Sequence, residues 1–387
     1  MPNRQKGHAN RPTRNPDVPS TSYLMRADTS SNRRTFIKAV AATSAGLALA
    51  TCAPAAEEPE PARKTRLGFD NFSVRALKWN AVQLIEYAAS LKLDSLFLTD
   101  LDVYESFQEN YLRDLKKKAH DNGLVIYAGS WSICPTSKFF KNKWGTAEEH
   151  LALGLRVAKT LESPAFRCIL GMGDDRSTPG GIEARIADTI KVCRSARSQA
   201  LDAGVKIAIE NHAGDMQAWE LAGLCEEAGK EYVGVTLDTG NSTWTMEDPM
   251  ESLEILAPYV AASALRDSMV WQTPHGAAVQ WTTMGEGVID YKAFVPRFIE
   301  LCPQVPVNVE IISGFTRDLP YFRGNYWNVW PKARAKDFAK FDALTRLGKM
   351  IPARHNTDEA AEKEYQKNGL EQSLAYCKET LGLGLNR

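Results

Sequence analysis

The sequence shows no excess of charge of either sign: 47 Lys and Arg residues balance 47 Asp and Glu residues in a chain of 387 residues. Because nucleic-acid-binding proteins need a basic field, this balance argues against a nucleic-acid partner. The seven cysteines form no C-x-x-C pair, so a thiolate zinc site is not expected. We expect Cys168, Cys193 and Cys225, which lie in apolar strand or helix patterns, to be buried free thiols.

The amino-terminal region lacks an apolar stretch long enough to anchor the chain in a membrane. Ala39–Ala50 is too short, and too rich in Ala, Ser and Thr, to span a bilayer stably. It follows Arg33 and Arg34, and this order is typical of a twin-arginine export signal. We therefore expect residues 1–52 to be a signal region and residues 53–65 to be a flexible linker.

Cys52 ends the sequence L-A-T-C, which is similar to a lipoprotein cleavage box. Thr51 departs from the small residue that usually precedes such a cysteine, so cleavage by an ordinary signal peptidase is the alternative. The expected location is the periplasm or, if Cys52 carries a lipid anchor, the outer membrane as an attached lipoprotein.

No G-x-G-x-x-G loop follows an early strand, which disfavours an open nucleotide-binding sheet. Instead, short apolar runs alternate with amphipathic segments such as Ala81–Leu91 and Ala147–Leu161, which predicts a parallel sheet. The eight predicted strands are Arg66–Asn71, Ser95–Leu98, Leu124–Gly129, Ala165–Leu170, Val205–Glu210, Tyr232–Asp238, Val260–Leu265 and Val307–Ile312. Eight strand–helix units in about 280 residues predict an α/β fold, a (β/α)8 TIM barrel over residues 66–350.

Residues 351–387 follow the predicted barrel as a charged helical extension with a partial apolar stripe at Leu370 and Leu374. Such a helix could cover the bottom of the barrel or contact a second subunit in a homo-oligomer. The sequence leaves these two positions open.

Three acidic residues end three of the apolar runs: Glu210, Asp238 and Glu310. A carboxylate is a poor packing residue at the end of a buried strand, and barrel strands bring their carboxyl ends to one mouth. Three carboxylates there would form an oxygen-rich pocket suited to a divalent cation. The alternative is that each carboxylate pairs with a Lys or Arg inside the barrel.

Several short motifs resemble those of the xylose-isomerase-like TIM-barrel superfamily, which includes sugar-phosphate isomerases and epimerases. They are I-E-N-H at 209–212, L-D-T-G-N at 237–241, A-L-R-D at 264–267, G-E-G-V-I-D-Y at 285–291 and V-E-I at 309–311. The resemblance implies a metal-dependent sugar enzyme that uses Mn, Mg, Co or Zn. It also implies that Glu210, Asp238 and Glu310 are three of the four usual ligands.

The fourth ligand of the superfamily is a histidine on the seventh strand, where this chain has Ala264. We expect a nearby group, His275 or Gln280 on the following loop or His212, to replace it; the alternative is weak or lost metal binding. Three anionic ligands without a cation would repel one another and raise at least one pKa.

The remaining site candidates lie near the predicted mouth. His212 lies two residues beyond Glu210, so both side chains can face the same way. We expect Asn241, Arg266, Trp131 and Trp327 to bind substrate, because aromatic faces stack on sugar rings and Arg binds hydroxyl or carboxylate groups. For Arg266 and Arg167, salt bridges to Asp267 and Glu162 are the alternative. His120 and His150 lie on helical patterns and are expected at the surface or in packing.

The implied reaction removes a proton beside a carbonyl and passes through an enediolate. By resemblance, Glu210 and Glu310 exchange the proton, and His212 can assist. Return of the proton then gives isomerisation or epimerisation. Expected export favours a small, non-phosphorylated sugar or keto-sugar as substrate. Two alternatives remain: a lyase or dehydratase acting on a 3-keto-sugar or keto-glycoside, and a catalytically silent sugar-binding barrel.

Overall fold

The computed structural model describes residues 65–354, 356 and 358–385, and within this range eleven strands are found. The predicted signal region and all but the last residue of the predicted linker lie outside the described residues. The strands are β1 Leu67–Asp70, β2 Ser95–Leu98, β3 Val125–Ser132, β4 Ala165–Ile169, β5 Lys206–Glu210, β6 Val233–Leu237, β7 Val260–Ser263, β8 Asp267–Thr273, β9 Gly276–Thr282, β10 Val307–Val309 and β11 Thr316–Leu319.

Eight of these strands form one parallel sheet in the order β10-β1-β2-β3-β4-β5-β6-β7. Its two edges meet at a parallel bridge between Leu265 and Val309, where the amide of Leu265 donates to the carbonyl of Asn308 at 2.7 Å. The predicted (β/α)8 barrel is therefore confirmed. Its strands are apolar on both faces because one face packs in the barrel and the other under the helices.

Eleven helices are found among the described residues, and most of them follow barrel strands and form the outer wall. They are α1 Ala81–Ser90, α2 Glu109–Asp121, α3 Ala147–Leu161, α4 Gly181–Ser195, α5 Arg197–Ala203, α6 Ala218–Ala228, α7 Thr239–Trp244, α8 Pro249–Leu256, α9 Tyr291–Leu301, α10 Ala335–Leu344 and α11 Glu359–Glu379. Short 3-10 helices at Asn71–Leu77, Leu101–Val103, Asn142–Trp144, Gly173–Ser177, Ala257–Tyr259 and Gly324–Val329 shape the loops. Helix α3 begins with a capping box, in which Thr146 and Glu149 satisfy each other's backbone amides.

Helix α11 lies within the predicted helical extension, residues 351–387, and packs against the barrel. Its Leu370, Leu374 and Cys377 are buried in the main core together with Leu67 of β1. The side chain of Gln366 accepts the backbone amide of Ala76 at 2.8 Å, which fixes the helix beside the first strand–helix connection. Helix α11 thus completes the barrel wall after β10, and the barrel domain continues past residue 350 to the end of the described residues.

A second layer covers the carboxyl ends of the strands and was not predicted. Strands β8 and β9 form an antiparallel hairpin that pairs with β11, in the order β11-β9-β8. This sheet and α10, together called the cap below, share a core of their own. The core residues are Met246, Val270, Ala277, Val279, Leu319, Tyr321, Trp330 and Phe341.

Within the described residues, no helix combines the length and apolarity needed to cross a bilayer. The six cysteines in this range are all buried and free, which confirms the prediction for Cys168, Cys193 and Cys225.

Candidate active site at the barrel mouth

The three predicted carboxylates lie together at the carboxyl ends of their strands. Glu210 is the last residue of β5, and Asp238 and Glu310 directly follow β6 and β10. One oxygen from each lies within 4.8 Å of the others, and all three side chains are buried. Taken alone, this cluster has the oxygen donors and the spacing that could hold a divalent ion.

Two buried arginines pair with the three carboxylates. Arg167 donates from Nε to Oε2 of Glu210 at 2.5 Å and from Nη1 to the carbonyl of Ser130 at 2.8 Å. Arg266 donates from Nε to Oδ2 of Asp238 at 2.9 Å, and its Nη2 bridges the carboxylates of Asp238 and Glu310. Each carboxylate therefore pairs with an arginine, as in the alternative to a metal site that the sequence left open.

Local packing directs Arg266 into the cluster. Its carbonyl accepts the hydroxyls of Thr239 and Tyr291, each at 2.8 Å, so its backbone is fixed on both sides. The ring of Trp281 lies 4.2 Å from the guanidinium carbon, in a cation–π contact that shields the charge from water. Ala264, two residues earlier, is fully buried.

A divalent ion does not fit the site in this arrangement. The guanidinium of Arg266 already lies between Asp238 and Glu310, where a shared cation would bind. Asn241 occupies further lone pairs of the carboxylate oxygens, which a metal ion would need. Its Nδ2 donates to Oε1 of Glu210 at 3.0 Å, and its backbone amide donates to Oδ1 of Asp238 at 2.9 Å. An ion could enter this position only if the Arg266 side chain left it.

The pKa values of the three carboxylates shift in different directions. Burial raises the pKa of Asp238 to about 7 against the pull of Arg266, and the neighbouring charges of Glu210 and Glu310 add to the rise. Burial also raises the pKa of Glu310, again opposed by Arg266. For Glu210, burial alone would raise the pKa, but Arg167 and His212 outweigh it and the net pKa is lowered.

A cavity of about 470 Å³ opens above the cluster. Glu310, Arg167, Arg266 and His212 contribute to its wall, whereas Glu210 and Asp238 are not among the lining residues. Its aromatic walls come from the barrel loops and the cap: Phe72, Trp131, Trp144, Trp244, Trp281 and Phe315. Size and lining suit a monosaccharide or a small glycoside.

His212 presents a proton acceptor at this cavity. Its Nδ1 lies 2.7 Å from the carbonyl of Gly171, which can only accept, so Nδ1 carries the hydrogen. Burial lowers the pKa of His212 to about 4, and the ring is therefore neutral at neutral pH, with a lone pair on Nε2. The ring of Trp131 lies against it edge-on, with 5.6 Å between centroids, and fixes its orientation.

The other predicted site residues fall into two groups. Trp131 and Arg266 line the cavity, whereas Asn241 lies beneath it as a support for the carboxylates. Trp327 lies in the cap, where its Nε1 donates to the carbonyl of Tyr321 at 2.7 Å, and it does not line the cavity.

The proposed replacements for the missing histidine need correction. His275 is exposed in the turn between β8 and β9 and does not reach the carboxylate cluster. The side chain of Gln280 accepts the hydroxyl of Thr316 at 2.7 Å and donates to the carbonyl of Pro352 at 3.3 Å. Both positions follow from the hairpin, because the segment after β7 pairs with itself: His275 lies in its turn and Gln280 in β9.

Two residues of the site, Arg167 and His150, have roles that the sequence did not predict. Arg167 pairs with Glu210 and not with Glu162, and the signal for this role was a lone arginine in the apolar strand F-R-C-I. His150, expected as a surface or packing residue, is buried, lines the cavity, and lies 2.7 Å from the Ser130 hydroxyl. Its position on the inner face of α3 could have been read from the helical period.

Similarly, Asp267 does not pair with Arg266. Its carboxylate accepts the backbone amides of Gly285 and Gly287 at 3.0 and 2.9 Å, which fixes the G-E-G loop beside the cap.

Comparison with known proteins agrees with the barrel fold. A family model described as a xylose isomerase-like TIM barrel matches residues 80–314. An uncharacterised protein, YihM of Escherichia coli (strain K12), is 27% identical over 105 residues, which cover 27% of this chain and 32% of that protein.

Solved structures show the same fold. A D-psicose 3-epimerase in the presence of D-fructose is 17% identical and superposes with a TM-score of 0.50 over 73% of this chain and 96% of that one. A 3-keto-D-glucoside 4-epimerase from E. coli is 11% identical, with a TM-score of 0.50 over 73% of this chain and 100% of that one. The IOLI protein, solved with a zinc atom, is 15% identical, with a TM-score of 0.50 over 74% and 100% of the two chains.

Proposed function

Because the chain belongs to the xylose isomerase-like TIM-barrel family, we propose that it is a sugar isomerase or epimerase that moves a proton beside a carbonyl group. The observation that carries the proposal is the pairing of two proton acceptors, Glu310 and neutral His212, in one cavity with the cation of Arg266. Glu310 lies at the end of β10 and His212 just after the end of β5, and these strands lie three positions apart around the barrel.

In the proposed reaction, Glu310 or Nε2 of His212 accepts the proton from the carbon next to the substrate carbonyl. The electron pair of that C–H bond forms the C=C bond of an enediolate, and the carbonyl electrons move to oxygen. The buried positive charge of Arg266 favours that oxygen anion. In isomerisation, the proton returns to the former carbonyl carbon, and the hydroxyl proton on the first carbon moves to the enediolate oxygen as that hydroxyl becomes the new carbonyl. In epimerisation, the proton returns to the first carbon from the opposite face and the original carbonyl forms again. Acid–base groups of this kind typically contribute about 10²- to 10⁴-fold in rate.

A free sugar or keto-sugar is the proposed substrate class. The aromatic side chains around the cavity offer faces to the C–H surface of a sugar ring. Export through the proposed signal at Arg33 and Arg34 would also place the enzyme in the periplasm or on the outer membrane, away from cytoplasmic sugar phosphates. Two proteins of similar fold are epimerases of such compounds, D-psicose and a 3-keto-D-glucoside.

Elimination from a keto-glycoside is the second candidate, because it shares the first step. The observation that favours it is a second imidazole, His150, which lines the same cavity and has no partner at Nδ1. A silent sugar-binding barrel would need neither a proton acceptor nor a cation at the floor of the cavity.

The test is incubation of the purified protein with a panel of keto-sugars and keto-glycosides in deuterated water. We expect deuterium to appear beside the carbonyl, with the product distinguishing isomer, epimer and eliminated compound. Glu310→Gln should strongly lower the rate of exchange, whereas the matched change Glu300→Gln on the exposed face of α9 should leave it unchanged. Sugar binding without exchange would refute the enzymatic proposal and support the silent barrel.

A further inference from the structure

We propose that Arg266 is the permanent cation of this site and takes the place of the divalent ion that a carboxylate cluster of this kind would otherwise bind. Metal exclusion is a property of the folded chain alone. The further role of Arg266 in stabilising an enediolate rests on the proposed function.

The charges of the cluster support this assignment. Arg266 is 2% exposed in its side chain and contacts two carboxylates that arrive from different strands, Asp238 after β6 and Glu310 after β10. A divalent ion bound between the same oxygens would lie against a buried guanidinium, and two positive charges at contact distance in a dry site repel strongly. Because an arginine cannot be neutralised by losing a proton, its charge persists at any pH that the fold survives.

The surrounding residues are shaped for an arginine side chain. A Cβ atom on Gly240 would lie 2.3 Å from Cγ of Arg266, so only glycine leaves room for the stem. Trp281 covers the guanidinium and donates from Nε1 to the carbonyl of Gly240 at 3.0 Å. On its far side, Trp281 stacks on Trp244 at 4.1 Å, and Arg317 lies 4.7 Å from that ring. Removal of Arg266 from the cluster would disturb this whole stack.

Arg266 also retains a donor for a ligand. Its Nε and Nη2 are used by the carboxylates, whereas Nη1 is buried without a hydrogen-bond partner. A buried donor without a partner is costly, and Arg266 contributes to the cavity wall. An oxygen of a bound sugar would satisfy this donor and gain the charge stabilisation that a metal ion provides elsewhere.

The test is a binding experiment on the full chain and two variants that differ in charge. Arg266→Gln removes the positive charge, and Arg266→Lys keeps it while losing the planar fork. Each protein is stripped with EDTA, then titrated with Mn²⁺, Zn²⁺, Co²⁺ and Mg²⁺ by calorimetry and followed by thermal melting. We expect no stoichiometric binding and no change in melting temperature for the unsubstituted protein and for Arg266→Lys. Arg266→Gln should bind about one ion per chain and gain about 3 °C or more with saturating Mn²⁺.

The metal titration of the unsubstituted protein is the first test of the proposal. Stoichiometric binding of any of the four ions, with a higher melting temperature, would overturn it, as would failure of the folded Arg266→Gln variant to bind metal. If Arg266→Gln is recovered only with Mn²⁺ in the buffer, the proposal is supported, since the ion then replaces the lost charge. Arg113→Gln, an exposed arginine on α2, controls for unspecific effects of metal on the melt.

The binding readout is independent of turnover. If deuterium exchange fails with every substrate while metal is still excluded, only the proposed function is lost. If exchange occurs but is abolished by EDTA and restored by Mn²⁺, the enzyme is active and Arg266 is not its permanent cation.

Discussion

Gly240 and Arg266 are packed so closely that a Cβ atom at residue 240 would lie 2.3 Å from Cγ of the arginine. The glycine therefore belongs to the candidate active site, although it has no functional group. A similar relation holds at the second arginine, because a Cβ on Gly129 would lie 2.9 Å from Cβ of Arg167. At both positions, the backbone makes room for a cation that reaches the carboxylates.

The first prediction concerns Gly240→Ala. The added methyl group should push Arg266 away from Asp238, destabilise the protein by about 1–3 kcal/mol and lower turnover. Urea unfolding and the deuterium-exchange assay measure the two effects. Gly223→Ala, at an exposed position on α6 with nothing within 4 Å of the new methyl group, should instead stabilise by about 0.5–1 kcal/mol. Equal effects of the two changes would contradict the packing argument.

The second prediction concerns the ion pair between Arg167 and Glu210. Arg167→Gln leaves a buried carboxylate without its cation, and such a loss typically costs about 3–5 kcal/mol. We expect a large drop in the urea midpoint. The matched change Arg113→Gln breaks an exposed pair with Glu109, and pairs of this kind contribute little. A small effect at Arg167 would mean that Glu210 becomes protonated at no cost to the fold.

Much of the fold could be predicted from the sequence because parallel barrel strands are buried on both faces. Their continuous apolar runs gave strand positions within a few residues of the observed ones, as for Ser95–Leu98. The three carboxylates stood out because each interrupts such a run at its end. Strand counting was then enough to place Glu210, Asp238 and Glu310 at one mouth.

The pairing partners could not be predicted, because they depend on distances between residues far apart in sequence. Asp267 is adjacent to Arg266 and looked like its partner, whereas Asp238, 28 positions away, is the real one. The direction of the Arg266 side chain is set by Gly240, Thr239 and Trp281. The apolar stripe of α11 likewise indicated burial, but not that the barrel wall was the surface that buries it.

The third prediction distinguishes two tryptophans that the sequence treated alike. Trp131 lines the cavity and lies against His212, whereas Trp327 packs in the cap with its ring 5.1 Å from that of Phe338. Trp131→Phe should raise KM by roughly 2- to 10-fold, since part of the stacking surface for a sugar is lost. Trp327→Phe should leave KM unchanged and lower only the melting temperature. Steady-state kinetics and thermal melting separate these effects, and a KM change confined to Trp327→Phe would refute the assignment.

The last prediction uses the buried imidazole of His150, whose pKa burial lowers to about 4 from an ordinary value of 6.5. Below pH 6.5 the unfolded chain takes up a proton that the folded chain resists until about pH 4. The unfolded state therefore binds more protons in this window, and the contribution of His150 to stability, complete above pH 6.5, falls as the pH falls towards 4. His150→Gln removes this dependence. We expect the free energy of unfolding of the unsubstituted protein to fall, relative to that of the variant, by about 2–3 kcal/mol between pH 7 and pH 4.

Denaturant unfolding at several pH values measures this difference, and His120→Gln is the matched control. His120 is exposed on α2 and does not line the cavity, so this variant controls for the general effect of replacing a histidine. Other buried carboxyls also titrate in this range, but they are common to all three proteins and cancel in the comparison. Parallel curves for the unsubstituted protein and His150→Gln would show that the imidazole is as easily protonated in the fold as in water. It could then serve as a proton donor in the cavity, which would favour the elimination reaction over isomerisation.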